Sequence, residues 1–503
     1  MRLLLPALAL GLVLAVAPPW PSGARTTAIS APQSAEGVAR AVEEVVAAEL
    51  DASGAPGVAW AVVLDGEVGP AGAAGVARLG DDERVTPATP FALGSITKGV
   101  TALAVVQLVE AGDVDLDAPA SRYVASLAGG PAADVTVRQL LSHTAGFSTR
   151  QGSPGRGGAE DDLERRVARL AAAGPARAPG ERWEYSNAGY LVLGRLVEEV
   201  SGRTYQRYVT EEVLRPLGMD DSFVADGRTH DVMATGHRPW FWTKHPLPED
   251  GTDRAGAPAG GVVASARDVA RYLAAMVDGE DDVVSARGEA LLTSPAGGAS
   301  PWYGLGWSVD SDRGTVWHSG STPGVETLAT MVPAEGRAAV VLVNAGSGVG
   351  VGETTVLRDR VTAAALGLAE VDAGPRWPRS LLFASLVLLP VGYVLSAAWA
   401  WRHRDAIRAK RGPAGVLSIG LPLLTTTAGA WVVLDLVPRL LGTTVATLGL
   451  FQPDLALVLV AGAATGVLWA VLRLGIALTG PGRRLPRAPV GRPAAPQTPS
   501  RGP

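Results

Sequence analysis

The sequence predicts an α+β domain, with an antiparallel sheet flanked by helices and a helical subdomain, followed by an α-helical membrane domain. Strand patterns lie at the two ends of the first part of the chain and helical patterns lie between them, so the sheet should join segments that are distant in sequence. After Val371 the composition changes to three long apolar runs. These two observations divide the chain near residue 370.

Composition narrows the possible functions of the 503-residue chain. Its net charge of -5 argues against a nucleic-acid partner. The chain has no cysteine, which excludes disulfides, thiolate metal sites and thiol chemistry. No cluster of side chains requires a metal, and we predict no cofactor. A mean hydropathy of +0.19 is high for a soluble protein and reflects apolar residues at the two ends of the chain.

The N-terminus has the pattern of an export signal. Arg2 precedes an apolar run from Leu3 to Ala17, and small residues follow at Ser22 to Ala24. We predict a signal peptide over residues 1–24, with an uncleaved N-terminal anchor as the alternative. In both cases the domain predicted over residues 25–370 faces outward.

The first predicted elements are a covering helix and a hairpin. Ser34 to Leu50 places valines on one helical face, which predicts an amphipathic helix packed on a sheet. Gly57 to Leu64 is an apolar strand, Asp65-Gly66 is a turn dipeptide, and Glu67 to Ala77 returns antiparallel.

Helical patterns dominate the middle of the domain. The helix that starts at Ser95 is apolar nearly all round through Val109, which indicates that other elements enclose it. We interpret His143 as a structural residue bonded to nearby backbone, since a single histidine is a weak catalytic signal. Further helices are predicted at Val135–Phe147, Glu160–Ala173, Leu191–Val200, Tyr205–Val213 and Val269–Met276.

The last part of the domain returns to strands. Strands are predicted at Tyr303–Val309, Thr315–Ser321, Glu326–Val332 and Ala338–Asn344, with a closing helix at Glu353–Leu366. The aromatic-rich segment from Gly236 to Asp250, which contains Trp240 to Trp242, has three open interpretations: the wall of a pocket, a contact with lipid headgroups, or local packing.

Three apolar runs, Leu381–Trp401, Val416–Val437 and Leu455–Leu472, are each long enough to cross a bilayer at about 20 residues per span. Arginines cluster after the first and third runs, which places those ends in the cytoplasm and the domain before them outside. We predict a linker at 371–380, three spans within 381–480 and a disordered basic tail at 481–503. Leu440–Phe451 is too short to cross, and Asp435 is expected to pair with Arg439.

The chemistry is expected at Ser95-Ile-Thr-Lys98. One helical turn separates the two residues, so the Lys98 amine can reach the Ser95 hydroxyl. The chain contains only three lysines, Lys98, Lys244 and Lys410, and otherwise uses arginine. A lysine can give up its proton when it is desolvated, whereas arginine cannot. A lysine beside a serine therefore indicates a nucleophile with its base, although the motif is short and Ser95 could simply cap a helix.

Two further motifs follow in order, Tyr185-Ser-Asn187 and His318-Ser-Gly320. With these motifs the chain resembles the serine β-lactamase and penicillin-binding-protein family over about residues 34 to 368. Five longer segments also look like that family: Arg138–Phe147, Pro179–Tyr190, Arg215–Met219, Pro258–Gly261 and His318–Gly324. The likeness is to the class C-like branch, which includes D,D-carboxypeptidases, D-aminopeptidases and esterases. The resemblance implies a β-lactamase/transpeptidase-like fold.

The resemblance also implies a role for each motif residue. Ser95 would be the nucleophile that is acylated, Lys98 its base, and Tyr185 the group that passes protons. Asn187 would bind the carbonyl of the substrate amide. Gly320 and Ser321 would lie on an edge strand, with the backbone N–H groups of Ser95 and Ser321 forming the oxyanion hole.

One position departs from the family pattern, since His318 stands where many β-lactamases carry lysine. We expect His318 to hold a substrate carboxylate less firmly, to set the pH dependence, and to give weak β-lactam turnover with more tolerance of uncharged esters or amides. The leading hypothesis is a membrane-anchored extracytoplasmic serine hydrolase that acts on D-amino-acyl peptides or esters near the cell wall. A true β-lactamase and a penicillin-binding sensor without turnover stay open as alternatives, and the oligomeric state is not indicated.

Overall fold

A computed structural model describes residues 34–153, 162–248, 251–349, 353–369, 374–410, 412–440 and 442–479. The predicted signal peptide at 1–24 and the predicted tail at 481–503 lie outside the described residues.

The described elements follow the predicted α+β order. The strands are β1 (Gly57–Leu64), β2 (Glu67–Gly75), β3 (Phe91–Ala92), β4 (Phe223–Val224), β5 (His237–Trp240), β6 (Thr243–Pro246), β7 (Val262–Ala264), β8 (Ser308–Asp310), β9 (Thr315–Thr322), β10 (Val325–Val332) and β11 (Arg337–Val343). The α-helices of the hydrolase-like part are α1 (Ala35–Ser53), α2 (Thr97–Glu110), α3 (Val137–Leu141), α4 (Leu163–Ala173), α5 (Asn187–Ser201), α6 (Tyr205–Val209), α7 (Ala257–Gly260), α8 (Ala266–Ala274), α9 (Ala286–Thr293) and α10 (Thr354–Leu366). The C-terminal α-helices are α11 (Trp377–Arg402), α12 (Arg404–Arg408), α13 (Gly412–Trp431), α14 (Val437–Leu440), α15 (Val445–Phe451) and α16 (Pro453–Leu478).

The main sheet has six antiparallel strands in the order β2-β1-β11-β10-β9-β8. Strand β1 from the start of the domain therefore pairs with β11 from its end, as predicted. Alternate residues of β1 face opposite sides of the sheet: Val58 packs toward helices α1 and α10, and Ala59 toward the middle of the domain. Burial on both faces explains why β1 reads as a continuous apolar run.

Helix α2 crosses the centre of the domain. Every residue from Thr97 to Val106 is buried, which confirms that other elements enclose this helix. Thr101 fixes it in place, because its hydroxyl lies 2.7 Å from the Tyr205 hydroxyl and donates to the carbonyl of Pro258 at 2.8 Å.

Several predicted element boundaries are wrong. The helix predicted over Val135–Phe147 is an α-helix only at Val137–Leu141, and His143 just beyond it has a left-handed backbone with φ 58°. The predicted strand Tyr303–Val309 is extended only at Ser308–Asp310, because Gly306 adopts a left-handed conformation with φ 89° and turns Trp307 into the core. The predicted helix Leu191–Val200 begins earlier, at Asn187, because Ser186 caps it by accepting a hydrogen bond from the Ala188 N–H.

Three C-terminal helices are long and apolar enough to span a membrane: Trp377–Arg402, Gly415–Leu440 and Pro453–Leu478. The first begins at Trp377, inside the predicted linker 371–380, so that linker is shorter than expected. Arg439 donates to Asp435 at 2.8 Å, which confirms their predicted pairing.

The aromatic tip between β5 and β6 packs on these helices. The ring centroids of Trp242 and Phe383 are 5.1 Å apart, and those of Phe241 and Phe383 are 6.1 Å apart. The backbone N–H of Phe241 donates to the Asp454 carboxylate at 3.0 Å. The aromatic tip therefore packs on the C-terminal helices, while Gly236, Arg238, Leu247 and Pro248 of the same predicted segment line a cleft, so that both the packing and the pocket-wall interpretations hold for parts of it. The contact with lipid headgroups stays a prediction.

Candidate active site

Ser95 lies in a tight helical turn that leads into α2. The turn covers Gly94–Ile96, and α2 begins at Thr97. Gly94 has φ 57°, a left-handed conformation that a residue with a Cβ atom adopts only with strain. This turn places the half-buried Ser95 hydroxyl at the floor of a cleft, where it can contact a ligand.

Lys98 points from the first turn of α2 toward this hydroxyl. Its Nζ lies 3.0 Å from Ser95 Oγ and donates to the carbonyl of Ala259 at 2.7 Å. The Lys98 side chain has no exposed surface, and this burial lowers its pKa well below the usual value for lysine. In the described residues no carboxylate pairs with it, so the neutral amine is favoured, and a neutral amine can accept a proton from serine.

Tyr185 reaches the same oxygen from the opposite side of the site. Its hydroxyl donates to Ser95 Oγ at 2.6 Å, and Lys98 Nζ lies 4.9 Å from the centroid of its ring. Burial raises the pKa of the Tyr185 phenol, and the hydrogen bond to Ser95 opposes this only in part. The phenol therefore keeps its proton at neutral pH and can act as a donor.

His143 supports Tyr185 from behind. Its ring centroid lies 4.5 Å from that of Tyr185, and its Nδ1 accepts a hydrogen bond from the Ser186 N–H at 3.2 Å. Burial lowers the pKa of His143 well below 6.5, with Lys98 as the next cause, so the ring is neutral. The predicted backbone contact of His143 is confirmed, but its packing against Tyr185 was not anticipated.

Asn187, the first residue of α5, lines the cleft beside Ser95. Its side-chain oxygen is buried and has no hydrogen-bond partner among the described residues. An unpaired buried amide oxygen is costly unless a ligand satisfies it. This position therefore suits the recognition of a substrate amide.

The end of β9 forms the opposite wall. A Cβ atom on Gly320 would lie 1.9 Å from the carbonyl oxygen of Leu93, and one on Gly94 would lie 2.7 Å from the backbone nitrogen of Ser321. Only glycines allow this close approach of strand and turn. Strand β8 covers β9 only from Thr315 to Trp317, so Ser321 faces the cleft beyond the end of β8.

His318 is buried beside the catalytic groups, on the same face of β9 as Gly320. Its ring centroid lies 6.2 Å from that of Tyr185, its Nδ1 lies 2.7 Å from the carbonyl oxygen of Ser319, and its Nε2 lies 3.2 Å from the hydroxyl of Tyr303. Burial, with Lys98 as the next cause, lowers the pKa of His318 to about 3, which favours a neutral ring at pH 7. This burial does not favour the predicted pH dependence near neutrality, and the predicted contact with a substrate carboxylate stays a prediction.

The cleft that holds Ser95, Asn187 and Ser321 has a volume of about 1510 Å³. Its far walls include arginines of α4 and two residues from the C-terminal helices, Leu450 and Phe451. In the part of the chain that the structure describes, no three or more histidine, aspartate or glutamate side chains are grouped so as to hold a metal ion.

Comparison with known proteins agrees with this geometry. A sequence model of the beta-lactamase family, described as Beta-lactamase, matches residues 40–364. The chain belongs to the beta-lactamase family. The matched residues begin in α1 and end in α10, so the membership concerns the α+β domain and not the C-terminal helices.

Three relatives of this beta-lactamase-family protein show that it is similar to penicillin-binding proteins and to an amidohydrolase. Penicillin-binding protein 4 of Amycolatopsis lactamdurans is 31% identical over 66% of this chain and 92% of its own. The octameric penicillin-binding protein homologue from Pyrococcus abyssi is 26% identical with a TM-score of 0.57, over 65% of this chain and 77% of its own. A D-stereospecific amidohydrolase from Streptomyces sp. is 25% identical with a TM-score of 0.52, over 65% of this chain and 98% of its own. The protein is therefore a beta-lactamase-family serine hydrolase related to penicillin-binding proteins.

Two groups that contact the residues of this site were not predicted from the sequence. The carbonyl of Ala259 holds Lys98, and the Tyr303 hydroxyl holds His318. Ala259 lies in the segment Pro258–Gly261, whose family likeness was a signal, but the role of a backbone carbonyl cannot be read from a side-chain motif.

Proposed function

We propose that this protein is a membrane-anchored, extracytoplasmic serine hydrolase that forms an acyl-enzyme at Ser95 and acts on D-amino-acyl peptides or esters. The observation that carries the proposal is the convergence on Ser95 Oγ of the Lys98 amine at 3.0 Å and the Tyr185 hydroxyl at 2.6 Å. A serine at its ordinary pKa is a weak nucleophile, and a base within hydrogen-bond distance activates it.

In acylation, the neutral Lys98 amine takes the Ser95 proton while Oγ attacks the carbonyl carbon of the substrate. The backbone N–H groups of Ser95 and Ser321 stabilise the negative charge on the carbonyl oxygen, and such a donor is typically worth about 3 kcal/mol of barrier. Tyr185 gives its proton to the leaving amine or alkoxide, and the resulting phenolate takes the proton that the neighbouring Lys98 removed from Ser95, so both side chains return to their starting states.

In deacylation, water replaces the leaving group. As the water attacks the acyl carbon, its proton passes to the neutral Lys98 amine, either directly or through Tyr185, which takes that proton while giving its own to Lys98. The Lys98 ammonium then returns a proton to Ser95 Oγ when the ester bond breaks. The products are a free carboxylic acid and the regenerated serine. Asn187 holds the amide of the acyl part, which fits its unpaired side-chain oxygen.

The substrate class is supported by the relatives. A penicillin-binding protein and a D-stereospecific amidohydrolase are both similar to this chain over most of their own length. A neutral His318 beside Tyr185 would attract a substrate carboxylate less than the lysine that many β-lactamases carry at this position. This arrangement supports uncharged esters or amides as substrates and weak β-lactam turnover.

We infer that residues 25–370 form the hydrolase domain and that the three apolar helices within 377–478 cross the membrane. The cluster of arginines between the first two spans and the arginine Arg473 near the end of the third support a cytoplasmic location for those ends. The hydrolase domain would then lie outside the cell.

The test is acylation of the full chain by a fluorescent penicillin and by a fluorophosphonate, with intact-mass analysis after exposure to D-Ala-D-Ala peptides, β-lactams and short-chain esters. We expect labelling of the wild type and its loss in Ser95→Ala, with Ser153→Ala as the control. Fast hydrolysis of β-lactams would favour a true β-lactamase, and a permanent acyl-enzyme would favour a sensor. Unchanged labelling of Ser95→Ala would contradict the proposal.

A further inference from the structure

The loop between the second and third apolar helices forms one wall of the cleft that holds Ser95. This loop contains α15, and the side chains of Leu450 and Phe451 at the end of α15 line the cleft. Both side chains are half-buried and apolar. An active-site wall is therefore supplied by the C-terminal region and not only by the hydrolase domain.

This loop approaches the hydrolase domain at two places. Arg238 on β5, which also lines the cleft, donates to the carbonyl of Leu450 at 3.4 Å. The backbone at Gly442 lies close enough to Thr149 that an added Cβ atom would be 3.3 Å from Cβ of Thr149, whose hydroxyl donates to the carbonyl of Tyr185 at 2.6 Å. The wall is therefore positioned relative to the groups that surround Ser95.

The same wall lies between the end of the second apolar helix and the start of the third. Helix α15 follows α14, which ends the second span, and Gln452 separates it from Pro453, the first residue of the third span. Leu440 at the end of the second span is 72% exposed, as expected of a side chain that faces lipid. Leu450 and Phe451 thus connect the cleft with the level at which the bilayer hydrocarbon starts.

The size and lining of the cleft suit an extended amphiphile. Its volume of about 1510 Å³ exceeds the roughly 300–1,000 Å³ of ordinary small-molecule pockets. Apolar side chains of Leu247, Met233 and Leu191 also line the cleft. Four arginines and one aspartate also line it, a balance that disfavours a cationic head group.

We propose that the substrate of this site is an amphiphilic ester or amide that enters from the membrane, with its scissile carbonyl at Ser95 and its apolar chain against Leu450 and Phe451. The proposal rests on the function proposed for Ser95 and adds the substrate class to it. Burial of each methylene contributes about 0.8 kcal/mol, which corresponds to a gain in kcat/KM of up to about fourfold per methylene that leaves water.

The experiment uses the full chain in lipid nanodiscs with p-nitrophenyl butyrate, octanoate and laurate below their critical micelle concentrations. For the wild type, kcat/KM rises from butyrate to laurate. Phe451→Ala and Leu450→Ala lower kcat/KM for laurate at least tenfold and for butyrate less than twofold. Leu440→Ala, an apolar truncation in the same region but outside the cleft, changes neither, and Phe451→Leu keeps the chain-length preference because the wall stays apolar.

Labelling of Ser95 by a small fluorophosphonate in each variant verifies that the site is intact. An equal ratio of laurate to butyrate kcat/KM in Phe451→Ala and Leu440→Ala would overturn the amphiphile proposal while leaving the Ser95 hydrolase in place. Absence of Ser95-dependent turnover of butyrate by the wild type would instead refute the proposed function itself.

Discussion

The Lys98 amine lies 3.0 Å from Ser95 Oγ at a position with no exposed surface. Burial disfavours the charged amine, and its hydrogen bond to the Ala259 carbonyl needs only one N–H. The nitrogen lone pair is then available to the serine proton. The protonation state of this one side chain is the basis of the proposed acylation.

The first prediction concerns the base. Lys98→Arg keeps a cation near Ser95 but cannot lose its proton, so we expect kcat/KM to fall by about 10²–10⁴. Stopped-flow acylation by a fluorescent penicillin measures the effect. Lys244→Arg, which changes the other lysine of the domain away from Ser95, serves as the control. Acylation by Lys98→Arg at the wild-type rate would exclude lysine as the base.

The second prediction concerns the stability cost of the same residue. The unfolded chain keeps Lys98 protonated up to about pH 10.5, whereas in the folded protein the pKa is lowered. Between the two pKa values the unfolded state binds more protons, so the free energy of unfolding rises with pH, by up to about 1.4 kcal/mol per unit.

Removal of the amine tests this linkage. Lys98→Met is expected to be inactive but more stable than the wild type, with a difference in melting temperature that grows as pH is lowered from 9 to 6. Thermal unfolding in nanodiscs at several pH values measures it. A difference that is independent of pH would show that Lys98 is charged in the folded protein.

The third prediction concerns His143 as a positioning residue. His143 has φ 58°, which asparagine tolerates, so His143→Asn keeps the backbone and an acceptor for the Ser186 N–H while losing the ring beside Tyr185. We expect kcat to fall about tenfold or more, with KM and the melting temperature little changed. A purely structural role would instead lower the melting temperature and leave kcat intact.

The fourth prediction concerns His318. Because burial lowers its pKa to about 3, the unfolded state binds a proton first as pH falls below 6.5. The contribution of His318 to the free energy of unfolding is therefore fully present above pH 6.5. It decreases by about 1.4 kcal/mol per pH unit as the pH falls from 6.5 toward 3. His318→Asn should weaken this acid dependence of unfolding without altering the pH profile of kcat/KM between 5 and 8. A kinetic limb near pH 6.5 that disappears in this variant would contradict the assignment.

The fifth prediction concerns the approach of β9 to the Ser95 turn. Gly320→Ala places a methyl group 1.9 Å from the Leu93 carbonyl oxygen, so strand and turn must separate and the two backbone N–H donors no longer converge. We expect acylation to fall by about 10²–10³, as when an oxyanion donor is lost. Gly314→Ala, with no atom within 4 Å, is the control that carries only backbone strain.

Periodicity and motif spacing predicted much of the fold, including β1, the enclosed helix α2 and the three apolar helices. They did so because burial on one or all faces leaves a direct pattern in the sequence. The proximity of Ser95 and Lys98 was predictable from local geometry alone, since one helical turn separates the two side chains.

The orientation of His318 was not predictable in this way. Alternation along β9 places Trp317 outward and His318 inward, opposite to their hydrophobicity, and this depends on the contact with Tyr303 from a separate segment. Likewise, the left-handed Gly306 that interrupts the expected strand is set by the packing of Trp307 in the core and leaves no periodic signal.

The docking of the β5–β6 tip on the C-terminal helices has a practical consequence for preparing this protein. A fragment ending at residue 370 would lose Phe383 and Asp454, the partners of Phe241 and Trp242, and would expose two adjacent aromatic rings to water. We expect such a fragment to self-associate and to be recovered in poor yield. Replacing Trp242 with a polar residue in the truncated form should restore monodispersity in size-exclusion chromatography.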